Sequence, residues 1–146
     1  MDQDGIESFM TQLGVNAETD IVVIVIAQYM DAKFMGEFTW PEFEKGCKDL
    51  ACDSVQSWTK ILPRLREEFK NATKFLAIYK YAFNFAQEKG KRNVDVELAC
   101  GLWDLLVGPV KCEFLQKWKT FLTGKFERNE ILVVTKDTWD LFHDLV

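Results

Sequence analysis

Residues 31–42 read Asp31-Ala32-Lys33-Phe34-Met35-Gly36-Glu37-Phe38-Thr39-Trp40-Pro41-Glu42, and Phe43 follows. Twelve positions with glycine at the sixth and glutamate at the twelfth are the frame of a calcium loop, the glycine allowing its sharp turn. Gly36 and Glu42 fill those places, Asp31 takes the first, and Phe38 stands at the eighth, where the loop's apolar residue packs. Positions three and five must supply oxygen, and they hold Lys33 and Met35. An ammonium inside the cage repels Ca²⁺, and a thioether does not suit a hard cation. The stretch has the frame of the loop without its metal chemistry, and no calcium is expected in it.

A loop of this kind, the EF-hand loop, joins two helices, and this decides how its flanks are read. Upstream, Ile21-Val22-Val23-Ile24-Val25-Ile26 is wholly β-branched. By propensity alone that is a buried strand, with Ile131–Val134 as its one available partner. Beside the loop frame, 20–31 reads as the entering helix instead. Downstream, Trp40, Phe43, Cys47 and Leu50 recur at three to four residues, the apolar line of an exiting helix.

The rest of the chain also carries helical periodicity. Ile6, Phe9, Met10 and Leu13 predict a short helix that stops at Gly14. Asp53 is placed to cap a helix lined by Val55, Trp58, Ile61, Leu62, Leu65 and Phe69, with a kink or break near Leu62 because Pro63 falls inside it. The clearest helix covers 71–88, with Phe75, Ile78, Tyr79, Ala82, Phe83 and Ala86 as its buried stripe. Asp95 then caps a helix carrying Leu98, Leu102, Leu105 and Leu106, closed by Gly108-Pro109. Phe114, Leu115, Trp118, Phe121 and Leu122 line another. A last helix starts near Thr135 with Trp139, Phe142, Leu145 and Val146, after a packed extended connector, Thr123–Val134. The expected fold class is all-α, with EF-hand-like helical pairs followed by a C-terminal helical half, in one domain over 1–146.

Composition narrows the function. The chain has 146 residues, 48% apolar and 28% charged, enough to bury roughly 70% of its unfolded surface. Twelve Phe, five Trp and three Tyr argue against disorder. The longest apolar run, Ile21–Ala27, falls short of the ~20 residues of a spanning helix, so no membrane partner is expected. A net charge of −5 disfavours nucleic acid. Lys89, Lys91 and Arg92, and Lys111, Lys117, Lys119 and Lys125, read as solvated faces. Cys47, Cys52, Cys100 and Cys112 form no CxxC pair, and His143 is the single histidine, so a Cys/His zinc set is hard to assemble. The cysteines read as reduced, mostly buried thiols of a cytosolic or nuclear protein. A nucleophile needs a base. His143 has Asp140 and Asp144 near it in sequence, but adjacent helical residues face different ways. With no phosphate-cradling GxxxxGK[ST] loop either, neither catalysis nor a cofactor is expected.

Five pieces then occur in order: Asp4-Gly5-Ile6, Met35-Gly36-Glu37-Phe38-Thr39, Cys52-Asp53-Ser54, Tyr81-Ala82-Phe83-Asn84-Phe85-Ala86 and Lys136-Asp137-Thr138-Trp139. Together they resemble the potentiating-neddylation domain of the DCN-like (defective in cullin neddylation) proteins, from about Asp4 to Val146. The resemblance implies a non-enzymatic scaffold, a co-ligase beside the RING subunit. Such a scaffold holds the modifier-charged conjugating enzyme and the C-terminal winged-helix region of a cullin together. It implies a pocket for the acetylated N-terminal methionine of the conjugating enzyme, carried over here to Ile6, Val23, Ile26, Ala27, Met30, Gly36, Phe38, Phe85, Leu102 and Leu105. Core packing is an equal reading for Ile26, Phe38, Phe85 and Leu105. Leu102 replaces a residue often aromatic in relatives, and Gly36 one that is sometimes bulkier, which alters pocket depth. On the cullin side the resemblance implies Asp137; a helix-start acid favoured by the macrodipole is its other reading. The family's later acidic-Gly-Ala-Trp-Pro segment lies beyond Val146, so weakened cullin binding is one expectation. The alternative function is then a helical peptide-binding adaptor of EF-hand ancestry. A monomer in nucleus and cytoplasm completes the expectation.

Overall fold

The computed structural model describes residues 2–17, 19–87, 90–107, 112–128 and 133–145, the side chains of Cys112 and Leu145 excepted. The expected Gly108-Pro109 helix stop, Ile131-Leu132 of the connector, Lys89, Lys111 and Val146 lie outside the described residues. The chain divides into two compact units, Met1–Phe85 and Ala86–Val146.

In the first unit, α1 (Gln3–Gln12) begins at Asp2, whose carboxylate accepts the Gly5 amide at 2.9 Å, and gives way to Gly14 at φ +75°. α2 (Val22–Met30) is the β-branched run, helical as its place before the loop requires. Asp20 Oδ1 accepts the Val22 amide at 3.1 Å. Val22, Ile24, Val25, Ile26, Ala27 and Met30 are all buried. A helix apolar on every side is stable only when enclosed, and that enclosure overrides β propensity.

α3 (Trp40–Asp49) opens with a capping box between Thr39 and Glu42. α4 (Val55–Glu67) is capped by Ser54 rather than by Asp53: the Ser54 hydroxyl accepts the Ser57 amide at 3.2 Å, while Asp53 accepts the Ser57 hydroxyl at 3.1 Å. The expected break at Leu62 is absent, and α4 runs through Pro63 to Glu67. Pro63 lies on the solvent side, while Trp58, Leu62 and Leu65 are buried on both sides of it. Their packing holds the helix across the missing N–H. A 3₁₀ turn (Glu68–Lys70) leads into α5 (Ala72–Ala86), a little shorter than the expected 71–88.

Aromatic rings tie these helices together. Phe9 of α1 meets Phe43 of α3 at 5.5 Å and Trp58 of α4 at 5.7 Å, both edge to face. Glu68, buried, accepts the Tyr29 hydroxyl and has the Lys74 ammonium 3.8 Å away. Burial, reinforced by Glu68, pushes the Tyr29 phenol above its usual range. At Gly46 α3 packs tightly against Met30 of α2: a Cβ there would lie 2.6 Å from Met30 Cγ and 3.6 Å from the Trp58 ring.

The second unit begins with a short ribbon, β1 (Val94–Asp95) antiparallel to β2 (Val133–Val134), with Val94 opposite Val134. The extended end of the connector thus pairs with Val94–Asp95 and not with residues 21–26. α6 (Val96–Leu106) follows, with Asp95 at the cap position but without a capping side-chain bond. α7 (Cys112–Glu127) and α8 (Lys136–Leu145) complete the unit, and the Thr135 hydroxyl accepts the Thr138 amide at 3.3 Å at the start of α8. The core is aromatic. Trp103 stacks on Trp139 at 5.0 Å, touches Phe142 at 5.1 Å and meets Trp118 edge-on at 5.9 Å. Of the described thiols only Cys52 is buried; Cys47 and Cys100 are half-buried, which corrects the expectation of mostly buried cysteines.

The glycines separate packing from propensity. A Cβ on Gly101, in α6, would meet nothing within 4 Å. Gly101→Ala should therefore raise stability by roughly 0.5–1 kcal/mol. Gly46→Ala gains the same helix propensity but collides with Met30, and should lower stability by about 1–3 kcal/mol. Urea midpoints measure both; a Gly46→Ala variant as stable as Gly101→Ala would contradict the packing described.

Candidate functional site

The loop between α2 and α3 is the centre of the candidate site. Asp31 ends α2 in the left-handed conformation, φ +53°, and Gly36 takes the sharp turn at φ +87°. Phe34 and Glu37 form an isolated bridge around it. The carboxylates that the calcium frame would direct to a metal are otherwise engaged. Glu42 Oε1 accepts the Thr39 amide at 2.8 Å, and Oε2 accepts the Lys33 amide at 3.0 Å. The Lys33 ammonium lies 3.3 Å from Asp31. Among the described residues no group of three His, Cys, Asp or Glu is placed to hold a metal ion.

Three further ties fix this loop within the first unit. The Tyr81 hydroxyl donates to the Ala32 carbonyl at 2.7 Å, and the Met35 amide donates to the Phe85 carbonyl at 3.0 Å. Phe85 stacks on Tyr81 at 5.5 Å. A Cβ on Gly36 would stand 4.0 Å from Gln3 Oε1, so the turn reaches the first residues of α1. The loop's turn, the start of α1 and the end of α5 are thereby brought to one place. Gln3, Gly36 and Phe85, far apart in sequence, belong to it.

Burial divides the ten positions assigned to a peptide pocket. Ile26, Ala27 and Met30 have no exposed surface, and Phe38 has 1%. Met30 packs beside Gly46 and Trp58. Ile6 and Phe85 are buried, whereas Val23 and Gly36 are half-buried. Leu102 and Leu105 belong to the second unit, Leu102 buried and Leu105 half-buried on α6. Asp137 is exposed in the first turn of α8.

The apolar lines read from periodicity mislocate some residues. Trp40 is 70% exposed, though it continues the spacing of Phe43 and Leu50. Helical side chains lean toward the N-terminus, so one in the first turn reaches past the helix end; its place directly after the capping Thr39 was the available signal. Met35 beside the turn, Leu98 on α6, and Phe114 and Phe121 on α7 are exposed as well. The basic residues are engaged locally: Lys119 pairs with Asp104 at 2.8 Å, Lys117 with Glu113 at 3.5 Å, and Lys125 lies over the Phe121 ring. His143 Nδ1 is 3.9 Å from Asp144, and Asp140 pairs with Lys136.

Structure and site define an all-α module whose α2–loop–α3 segment is held by hydrogen bonds with Glu42, Tyr81 and the Phe85 carbonyl. The family model described as Cullin binding matches residues 56–146, and the chain belongs to this family, that of the DCN-like potentiating-neddylation domain. It is 37% identical to DCN1-like protein 4 of Danio rerio over 138 residues, 93% of this chain and 46% of that protein. It is 36% identical to DCN1-like protein 4 of Homo sapiens, covering 93% of this chain and 44% of that one. It is 34% identical to DCN1-like protein 3 of Xenopus laevis, covering 96% and 46%. The chain spans about half the length of these curated relatives.

Tyr81 gives the loop a measurable pH signature. Burial, then the charges of Asp31 and Glu42, push its phenol far above the usual 10.0. A group raised on folding stabilises fully below its unfolded pKa, and that contribution is lost as pH climbs beyond it. Stability should fall above pH ~10 with a slope of up to about 1.4 kcal/mol per pH unit from Tyr81. Tyr81→Phe should flatten that slope and cost about 0.5–1.5 kcal/mol at neutral pH. Denaturant melts between pH 7 and 11 test it; an unchanged slope in Tyr81→Phe would refute the assignment.

Proposed function

We propose that this chain is a non-enzymatic scaffold that promotes neddylation of cullins. The observation that carries the reading is its membership of the cullin-binding family, whose model covers residues 56–146; the names of its DCN1-like relatives agree with it. The physical contribution of a scaffold is positional. Holding a modifier-charged conjugating enzyme beside the acceptor cullin converts an encounter of two bodies into a local transfer, and orientation of that kind lowers a barrier without any catalytic group.

In this reading the acetylated N-terminal methionine of the conjugating enzyme enters beside the loop turn. Apolar Ile6, Val23 and Phe85, with fully packed Ile26 and Phe38 behind them, suit a methionine side chain, and acetylation removes an ammonium that such a wall could not solvate. Exposed Met35 and Trp40 next to the turn supply surface for the residues that follow. Asp137 faces solvent and contributes negative charge toward basic residues of the cullin's winged-helix region, and through the cullin the RING subunit is recruited. The protein works as a monomer in the nucleus and cytoplasm.

Calorimetry with the N-terminal peptide of the neddylation conjugating enzyme tests the pocket side. The acetylated peptide should bind and the free-amine peptide should bind at least about tenfold more weakly, a difference of ~1.4 kcal/mol; equal affinities would remove the pocket. A reconstituted neddylation assay tests the scaffold. The intact chain should accelerate transfer, and Asp137→Ala should reduce that acceleration while leaving peptide affinity unchanged. Peptide binding without any acceleration would instead make the chain a helical peptide-binding adaptor.

A further inference from the structure

The C-terminal end of α3 is closed by a Schellman motif. The Cys52 amide donates to the Cys47 carbonyl at 2.8 Å, and the Ala51 amide to the Lys48 carbonyl at 3.2 Å. Ala51 takes the left-handed conformation at φ +54°. In this motif the side chains at the two outer positions frequently lie against each other, and here both are cysteines. The 2.8 Å hydrogen bond and standard backbone dimensions limit their Cα separation to about 6.7 Å at most, within the ~4.4–6.8 Å range of disulfides. Cys47 is half-buried and Cys52 is 4% exposed, so Cys47 is the more accessible residue of the two.

We propose that Cys47 and Cys52 are a reversible oxidation site, a dithiol that peroxide converts to an intramolecular disulfide across the end of α3. Cys47, the accessible member, attacks first. Its thiolate takes one oxygen of hydrogen peroxide; the S–O bond forms, the O–O bond breaks, and hydroxide leaves with a proton as water. Cys52 then attacks the Cys47 sulfenic sulfur; the S–S bond forms, the S–O bond breaks, and the second hydroxide leaves with the Cys52 proton as water. The two thiols lose two electrons and peroxide gains them. Burial, with Cys47 and Asp53 adding to it, holds the Cys52 thiol above its usual range, which suits a resolving thiol shielded from direct oxidation. Glutathione-type reductants restore the pair, so the bond is transient in a reducing compartment. The staple lies next to Gly46, where α3 meets Met30, and so ties down the helix end on which that packing depends.

Mass spectrometry of the full chain tests this directly. The folded protein is treated with stoichiometric hydrogen peroxide, alkylated, and digested with trypsin without reduction. Cleavage after Lys48 separates the cysteines, so the expected product is peptide 46–48 disulfide-linked to peptide 49–60. The alkylatable thiol count should fall by two, and dithiothreitol should restore it. The Cys100→Ser protein should give the same product. In Cys47→Ser, Cys52 should remain alkylatable on denaturation after the same peroxide dose. A stable sulfenic or sulfinic acid on Cys47 with Cys52 still free would overturn the proposal, as would linkage of either residue to Cys100 or Cys112.

Discussion

A helix that turns most of its surface inward has to be surrounded, and α2 is such a helix, with only Val23, Gln28 and Tyr29 half-buried. Val22, Val25, Ile26, Ala27 and Met30 expose nothing. Full burial of each such side chain contributes roughly 1.5–3 kcal/mol, far above the differences among intrinsic propensities. The other elements of the first unit follow from that demand. α3 can come close only because position 46 is a glycine. Trp58 of α4 fills the space beside it, and Phe9 and Phe43 close the aromatic wall. Of the two polar residues of α2, Gln28 and Tyr29, the Tyr29 hydroxyl is satisfied by Glu68, itself buried. An unpaired hydroxyl or carboxylate there would carry a desolvation cost of several kcal/mol.

The loop that follows α2 shows how a frame built for a cation can be held without one. A bound metal would gather the carboxylates of the first and last positions. Here Glu42 spends both oxygens on backbone amides, and Lys33 places its own charge against Asp31. Tyr81 and the Phe85 carbonyl then bind the loop to α5. The loop's geometry is set by hydrogen bonds within one unit.

The sequence was legible where a rule had a single outcome. The glycine and glutamate spacing of residues 31–42 located both flanking helices and outweighed six β-branched residues. Helix positions followed from apolar spacing, apart from their termini. Pro63 does not break α4: a local steric rule ignores the burial of Leu62 and Leu65 on either side. Trp40 misled because periodicity records angle around a helix and not position along it. The Val94–Val134 ribbon was unreadable: two-residue strands carry no periodicity, and their pairing is long-range. The site was legible only through family resemblance, since Ile26 and Phe38 look alike whether they form core or pocket wall.

That ambiguity has a physical basis. A pocket for an apolar side chain is rigid when its walls are packed on their far side, and rigid walls bind without a further ordering cost. Walls of that kind are the residues with least exposure, such as Ile26, Ala27 and Phe38, and truncating them opens cavities whose cost is felt by the whole unit. Under the proposed reading, recognition and folding would draw on the same side chains of α2. The groups that could then change recognition and leave the fold intact are those at the surface: half-buried Val23, the bare turn at Gly36, exposed Met35 beside it, and Asp137 on α8. A side chain added at Gly36 has steric room, but its positive φ strains any L residue placed there. The backbone shape of the turn thus favours glycine at position 36.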